Sequence, residues 1–158
     1  MSDNTLRPVL GDFSSIVCFK AVVVGMEQAL GERTAAVGLI AAGRKRGQAL
    51  AADLGLTGAG ISDPGAAASA LNAAIGKEGT RLCGVDKVEL DGDAIRVHLS
   101  ETVCSAGEPM GSARNLTFTL GAVQGALEAV TGRKLKGNQV ASVLRGGTHD
   151  VIEFNDRI

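Results

Sequence analysis

Apolar positions recur along this chain at two periods, three to four residues in some stretches and two in others, and the switches between them mark its elements. Over residues 14–30, Ile16, Val17, Phe19, Val23, Val24, Met26 and Leu30 populate more than one face of a helix that Asp12 is placed to cap and Gly31 to end. Its strongly polar breaks are Lys20, Glu27 and Gln28, so it needs cover on most of its circumference, and a partner chain is a natural cover. A second helical pattern over 34–54 points Val37, Ile40, Ala41, Leu50, Ala51 and Leu54 toward a core and carries Arg44, Lys45 and Arg46 as a solvated face. Gly43 and Gly47 flank that triplet. Each weakens a helix by roughly 1 kcal/mol relative to Ala, so the pair predicts close packing or a bend. The glycine-rich stretch 55–65 reads as a connection, with Asp63 capping and Pro64 opening a third helix over 64–75.

After Gly79 the period becomes two. Val88 and Leu90 alternate with Lys87 and Glu89, and Ile95, Val97 and Leu99 with Arg96, His98 and Ser100, around an Asp91-Gly92 turn. This predicts a hairpin over about 81–100 with one apolar face and a solvated His98 on the other. The loop 101–113 is long for a compact domain and is the candidate lid. A fourth helix over 116–131 carries Leu120, Val123, Leu127 and Val130 at helical spacing, with Gly121 and Gly125 as a thin strip beside that stripe. Two strands over 139–144 and 150–154, joined around Gly146-Gly147, close the chain as a hairpin over 139–154, with His149 beside the turn.

A length of 158 residues predicts a single domain over 1–158, and the absence of Trp and Tyr beside 22 Gly predicts an aliphatic core with closely packed helices. A net charge of -1 gives no general attraction to nucleic acid, and no apolar run approaches the length of a transmembrane segment. Cys18, Cys83 and Cys104 form no Cys-x-x-Cys pair and no metal-ligand spacing with histidine, so no metal site is expected. The odd cysteine count and the lack of a signal-peptide pattern at the start predict a cytoplasmic setting.

The order helix, helix, helix, hairpin, helix, hairpin, with LGAVQGALEAVTG (120–132), LRGGTHDVIEF (144–154) and, more faintly, RKRGQALAADLGL (44–56), resembles the hydrocarbon-binding, or four-vinyl reductase, domain family and the core subunits of the TRAPP vesicle-tethering complex. The resemblance implies an α+β fold in which a four-stranded antiparallel sheet packs against about four helices. It also implies a homodimer joined through the first two helices and an apolar channel for a hydrophobic ligand. Two of the family's features are missing. Ala141, Ser142, Val143, Asp150 and Val151 stand where such domains often carry metal-binding cysteines, and no cysteine between Gly47 and Ile75 is available for acylation.

The expected function is non-enzymatic binding of a tetrapyrrole, isoprenoid or acyl chain, with no cofactor, no nucleic acid partner and no transmembrane segment. By helical phase and by the resemblance, Leu50, Leu54, Leu71, Leu120, Val123 and Leu127 are the candidate ligand-lining residues, with Arg114 or Cys104 at the mouth. The alternative is a structural or scaffolding subunit that docks into a larger assembly without a ligand. Catalysis by Cys104 with a histidine would need a base and an orienting group beside the thiol, and the sequence offers only isolated members. Heme sensing would need an axial ligand inside the pocket, whereas both histidines read as outward.

Overall fold

The computed structural model describes residues 15–158. They form α1 (Ile16–Leu30), α2 (Glu32–Asp53), α3 (Pro64–Ile75), β1 (Gly84–Asp91), β2 (Ala94–Ser100), α4 (Phe118–Thr131), β3 (Leu135–Ala141) and β4 (Asp150–Asp156), with a 3-10 turn at Val143–Arg145. The four strands make one antiparallel sheet in the order β1-β2-β4-β3. The architecture is therefore the expected α+β one. None of the helices among the described residues is long and apolar enough to cross a membrane.

Local signals place most boundaries. Asp12, the expected cap of α1, lies outside the described residues, and the Ser15 hydroxyl takes that role by accepting from the Cys18 amide. Gly31, at φ 82°, breaks the chain sharply enough that α2 starts at Glu32, two residues before the expected start. For α3 both ends agree with expectation, and the Asp63 carboxylate accepts from the amides of Gly65 and Ala66 at 2.9 and 3.1 Å. Helix α4 starts at Phe118 rather than 116. The Leu116 amide instead donates to Gln139 Oε1 at 2.8 Å, outside any helical bonding pattern.

Strand β2 keeps the expected alternation, burying Ile95, Val97 and Leu99. In β1 a bulge between Val85 and Lys87 brings Val85 into the core beside Val88, while Leu90 at the strand end stays exposed. The last hairpin departs further from expectation. β3 runs over 135–141 rather than 139–144, and residues 143–145 form a 3-10 turn instead of strand. Its first residues were hidden by the polar run Lys136-Gly137-Asn138, tolerated because β3 is an edge strand with one exposed side. Beyond Ala141, buried Asp150 replaces the ladder: its carboxylate accepts from the Val143 amide at 3.1 Å, Gln139 Nε2 at 3.3 Å and Thr102 Oγ1 at 2.7 Å.

The largest correction concerns the face of α2. Val37, Ala41 and Leu54, expected inside, are exposed, and the inward stripe is Ala35, Leu39, Gly43, Gly47, Leu50 and Ala51. A hydrophobic-period reading discounts glycine, yet glycine makes this contact. A Cβ on Gly43 or Gly47 would lie 2.9 or 2.8 Å from the carbonyl carbon of Phe118 or Ala122 in α4. Conversely, a Cβ on Gly121 or Gly125 would lie 2.8 or 2.7 Å from the carbonyl carbon of Ile40 or Arg44 in α2. All four distances are too short for a real methyl group, so the two backbones touch. Helix α4 is consequently buried along nearly its whole length, with α2 on one side and the sheet on the other.

Helix propensity alone says that Gly47→Ala gains about 1 kcal/mol. The backbone contact reverses the sign: G47A is expected to lose about 1–3 kcal/mol, because the helices must separate to admit the methyl group. Urea denaturation measures this, and an unchanged or raised midpoint would contradict the close crossing.

Candidate functional site: an apolar cleft among the helices

The close crossing of α2 and α4 leaves space beside it rather than within it. A cleft of about 1020 Å³ lies among the first turn of α1, the second half of α2, the start of α4 and the turn joining α3 to β1. Its apolar wall includes Phe19, Leu50, Ile75, Leu82, Val103 and Phe118. Phe19 and Phe118 meet edge to face with ring centroids 5.1 Å apart, a favoured aromatic geometry that fixes α1 against α4. Gly47 and Ala122 supply part of the lining with almost no side chain. The exposed side chains of Arg46, Glu78, Thr80 and Arg81 give the cleft its polar lining.

Of the residues expected to line a ligand, Leu50 stands in this cleft, and Leu120 lines a second cavity of about 500 Å³ near β3 and the C-terminal residues. Leu71, Val123 and Leu127 fill the core between helices and sheet, and Leu54 is exposed at the end of α2. Cys104 is buried with its Sγ 4.0 Å from Thr117 Oγ1. Sequence reasoning missed the two phenylalanines as partners, since they are far apart in the chain. It also missed the α3–β1 turn, which has no hydrophobic period to read. The signal available for Arg46 was the basic triplet itself.

Arg114 belongs to an ionic chain rather than to the cleft wall. Its guanidinium bonds Glu27 of α1 and Glu108 Oε1, the latter at 2.8 Å, and Glu108 Oε1 also accepts from Lys20 Nζ at 2.8 Å. Lys20 Nζ further donates to the Cys104 carbonyl at 3.0 Å. The long loop expected as a lid is thus fastened to α1 at two points, with Arg114 just beyond it adding a third, and Val103 from the same loop forms part of the cleft wall. The hydrogen bond from Lys20 holds the Glu108 carboxyl below the usual glutamate range. Burial works against the Arg114 charge, but its two carboxylate partners outweigh that and hold it more basic than usual.

Of the three cysteines, Cys18 is exposed on α1 while Cys83 and Cys104 are buried. Burial, with Asp86 and Asp150 nearby, pushes the Cys83 thiol up to about 12, and burial likewise raises that of Cys104. His98 is not freely solvated as expected: its Nε2 lies 2.7 Å from Glu89 Oε2, and its ring stands 5.8 Å from that of His149, whose Nε2 is 3.3 Å from Asp86 Oδ2. Among the described residues no group of three or more His, Cys, Asp and Glu is arranged to hold a metal ion. In the helix layer, buried Glu128 of α4 accepts from Arg44 Nε at 2.6 Å and from the Leu135 amide at 2.9 Å, tying α2, α4 and β3 together. Burial opposes its charge, yet these donors hold its carboxyl below the usual value of 4.5.

The described residues define a class: an α+β domain with an open cleft that has an apolar wall and a polar lining. The same fold occurs in the crystal structure of the phenol-responsive sensory domain of the transcription activator PoxR with phenol, with a TM-score of 0.66 and 15% identity, covering 92% of this chain and 76% of that one. No family model matches the chain, and neither does any curated protein.

Because Glu108 and Glu128 are held below 4.5 in the folded protein, each contributes stability that is present above that pH and lost as pH falls through its lowered value. Unfolding free energy is expected to hold from pH 7 down to about 5 and then to decline. Glu128→Gln should lower stability at pH 7 by about 2–3 kcal/mol, by leaving Arg44 without its anion, and should flatten the acid decline. Urea melts across that pH range measure both effects, and an unaltered acid limb in E128Q would refute the role of Glu128.

Proposed function

We propose that this chain is a non-enzymatic module that takes a small hydrophobic ligand into the cleft among α1, α2 and α4, the ligand being of the tetrapyrrole, isoprenoid or acyl-chain kind. The cleft itself carries the reading: about 1020 Å³, walled by aliphatic side chains and an edge-to-face phenylalanine pair, it is at the upper end of the roughly 300–1,000 Å³ of ligand pockets. One support is independent of the cleft: the fold is that of a domain whose solved structure holds phenol. The non-enzymatic part rests on the separation of thiols from a base: Cys83 and Cys104 are buried with raised pKa, exposed Cys18 lies on α1, and both histidines lie against carboxylates of the sheet with no cysteine hydrogen-bonded to them among the described residues.

Ligand occupancy is expected to appear as linkage. Extraction of the purified protein with organic solvent should lower its melting temperature, and adding back a defined apolar ligand should restore it, a hundredfold excess over Kd contributing about 2.7 kcal/mol of stability. Native mass spectrometry should show the extracted mass. The absence of both a ligand mass and a thermal shift would sink the proposal in favour of the structural-subunit reading.

A homodimer through α1 and α2 completes the proposal. Val17, Val22 and Leu30 of α1 and Val37 of α2 are exposed, with Val17 at 74% and Val37 at 68%, an unusual apolar display for a soluble surface. A second copy set against these exposed positions of α1 and α2 would take their apolar side chains out of water. Val17→Glu combined with Val37→Glu is expected to convert a dimer into a monomer in light scattering after gel filtration, while the circular dichroism spectrum stays unchanged. A monomeric parent protein would exclude this arrangement.

A further inference from the structure

The polar lining of the cleft carries more information than its apolar wall. Arg46 reaches it from α2 and Arg81 from the α3–β1 turn, with Glu78 as the one acidic residue of the lining among the described residues. Neither arginine is committed to a strong partner among the described residues. Arg46 has only Asp53 at 3.9 Å, with both side chains largely exposed, and Arg81 uses one donor, Nε, on the Lys77 carbonyl at 3.3 Å. A guanidinium carries five N–H donors, so most of those on both residues are left for another acceptor.

The backbone of Arg81 points the same way. Its φ is 54°, in the left-handed region that costs a residue with a side chain about 1–2 kcal/mol. At nine other left-handed positions among the described residues the chain uses glycine; only Arg81 and Glu101 do not. The turn around Arg81 is tightly bonded, its own amide donating to the Gly76 carbonyl at 3.0 Å and the Thr80 amide to the Ala74 carbonyl at 2.9 Å. The turn thus holds an arginine in a costly conformation at the edge of the cleft.

We infer that the cleft selects an amphipathic anion, an apolar chain or ring ending in a carboxylate, with Arg46 and Arg81 receiving the carboxylate and the phenylalanine-lined wall receiving the apolar body. This rests on the cleft being a ligand site, and it names the class of ligand. Guanidinium–carboxylate bonds are charge-assisted and often paired, which makes them the natural fit for two arginines beside an apolar wall. Glu78 sharpens the choice by leaving one net positive charge among these three side chains, enough for a monoanion and too little for a polyphosphate.

The test compares dodecanoate with dodecanol on the full chain at about pH 8, each displacing the neutral dye Nile red, at low and at high salt. The acid is expected to bind about tenfold more tightly than the alcohol, and the preference is expected to shrink with salt. Arg46→Gln with Arg81→Gln should abolish the preference while leaving the affinity for the alcohol within about twofold. Arg81→Gly gives an independent check that needs no tolerance of strain: it should keep or raise the melting temperature and still lose most of the preference. Equal affinity of acid and alcohol in the parent protein would overturn anion selection and leave the cleft as a neutral site. Failure of the dye and of both chains to bind would overturn the ligand site and this inference with it.

Discussion

Helices α2 and α4 cross with their backbones in contact, because Gly43 and Gly47 of one helix face Gly121 and Gly125 of the other and no side chain stands between them. At that separation each glycine sits against a carbonyl of the opposite helix, so the crossing fixes position and rotation together. Everything on either side inherits this constraint. The sheet packs on the far side of α4 through Leu120, Val123 and Leu127, and α1 joins through Phe19 against Phe118 at the start of α4. The Arg44–Glu128 pair lies beside the same crossing, with Glu128 also holding the first amide of β3. A buried carboxylate can be kept there because three donors from three elements meet it: Arg44, Gln124 and the Leu135 amide.

The cleft follows from the same geometry. Two helices held this closely at their crossing diverge away from it, and the space between the diverging ends must be filled or left open. In this protein the start of α1 and the α3–β1 turn border the space without filling it, and Gly47 and Ala122 add little bulk. The loop leading into α4 is held by the Lys20, Glu108, Arg114 and Glu27 chain, so Val103 stands as fixed wall. A site bordered by fixed elements needs little rearrangement to accept a ligand.

The two faces of the helical layer differ in chemistry. Toward the cleft, arginines stand beside aromatic and aliphatic walls. On α1 and at Val37, valines and Leu30 stand exposed. The ionic chain draws on Lys20 and Glu27, two of the polar positions of α1.

Periodicity, with the glycines, Asp63 and Pro64 that punctuate it, was enough to locate the four helices of the described residues to within two residues and to find the first hairpin, because a period of two or of three to four survives in any context, whereas the four-stranded antiparallel sheet was what the family resemblance implied. It also marked Gly43, Gly47, Gly121 and Gly125 as sites of thin packing, without showing that they meet one another. What only the tertiary structure decided were the contacts between distant residues. The inward face of α2 turned on glycine rather than on Val37 and Leu54, since a missing side chain lets another backbone approach and leaves no hydrophobic signal. β3 began in a polar run because an edge strand needs only one buried side. The cleft residues Phe19, Arg46, Arg81 and Phe118 come from four separate segments of the chain. A sequence shows which residues are apolar, but which of them share a cavity depends on how far apart the backbones stand, and here the four glycines set that distance.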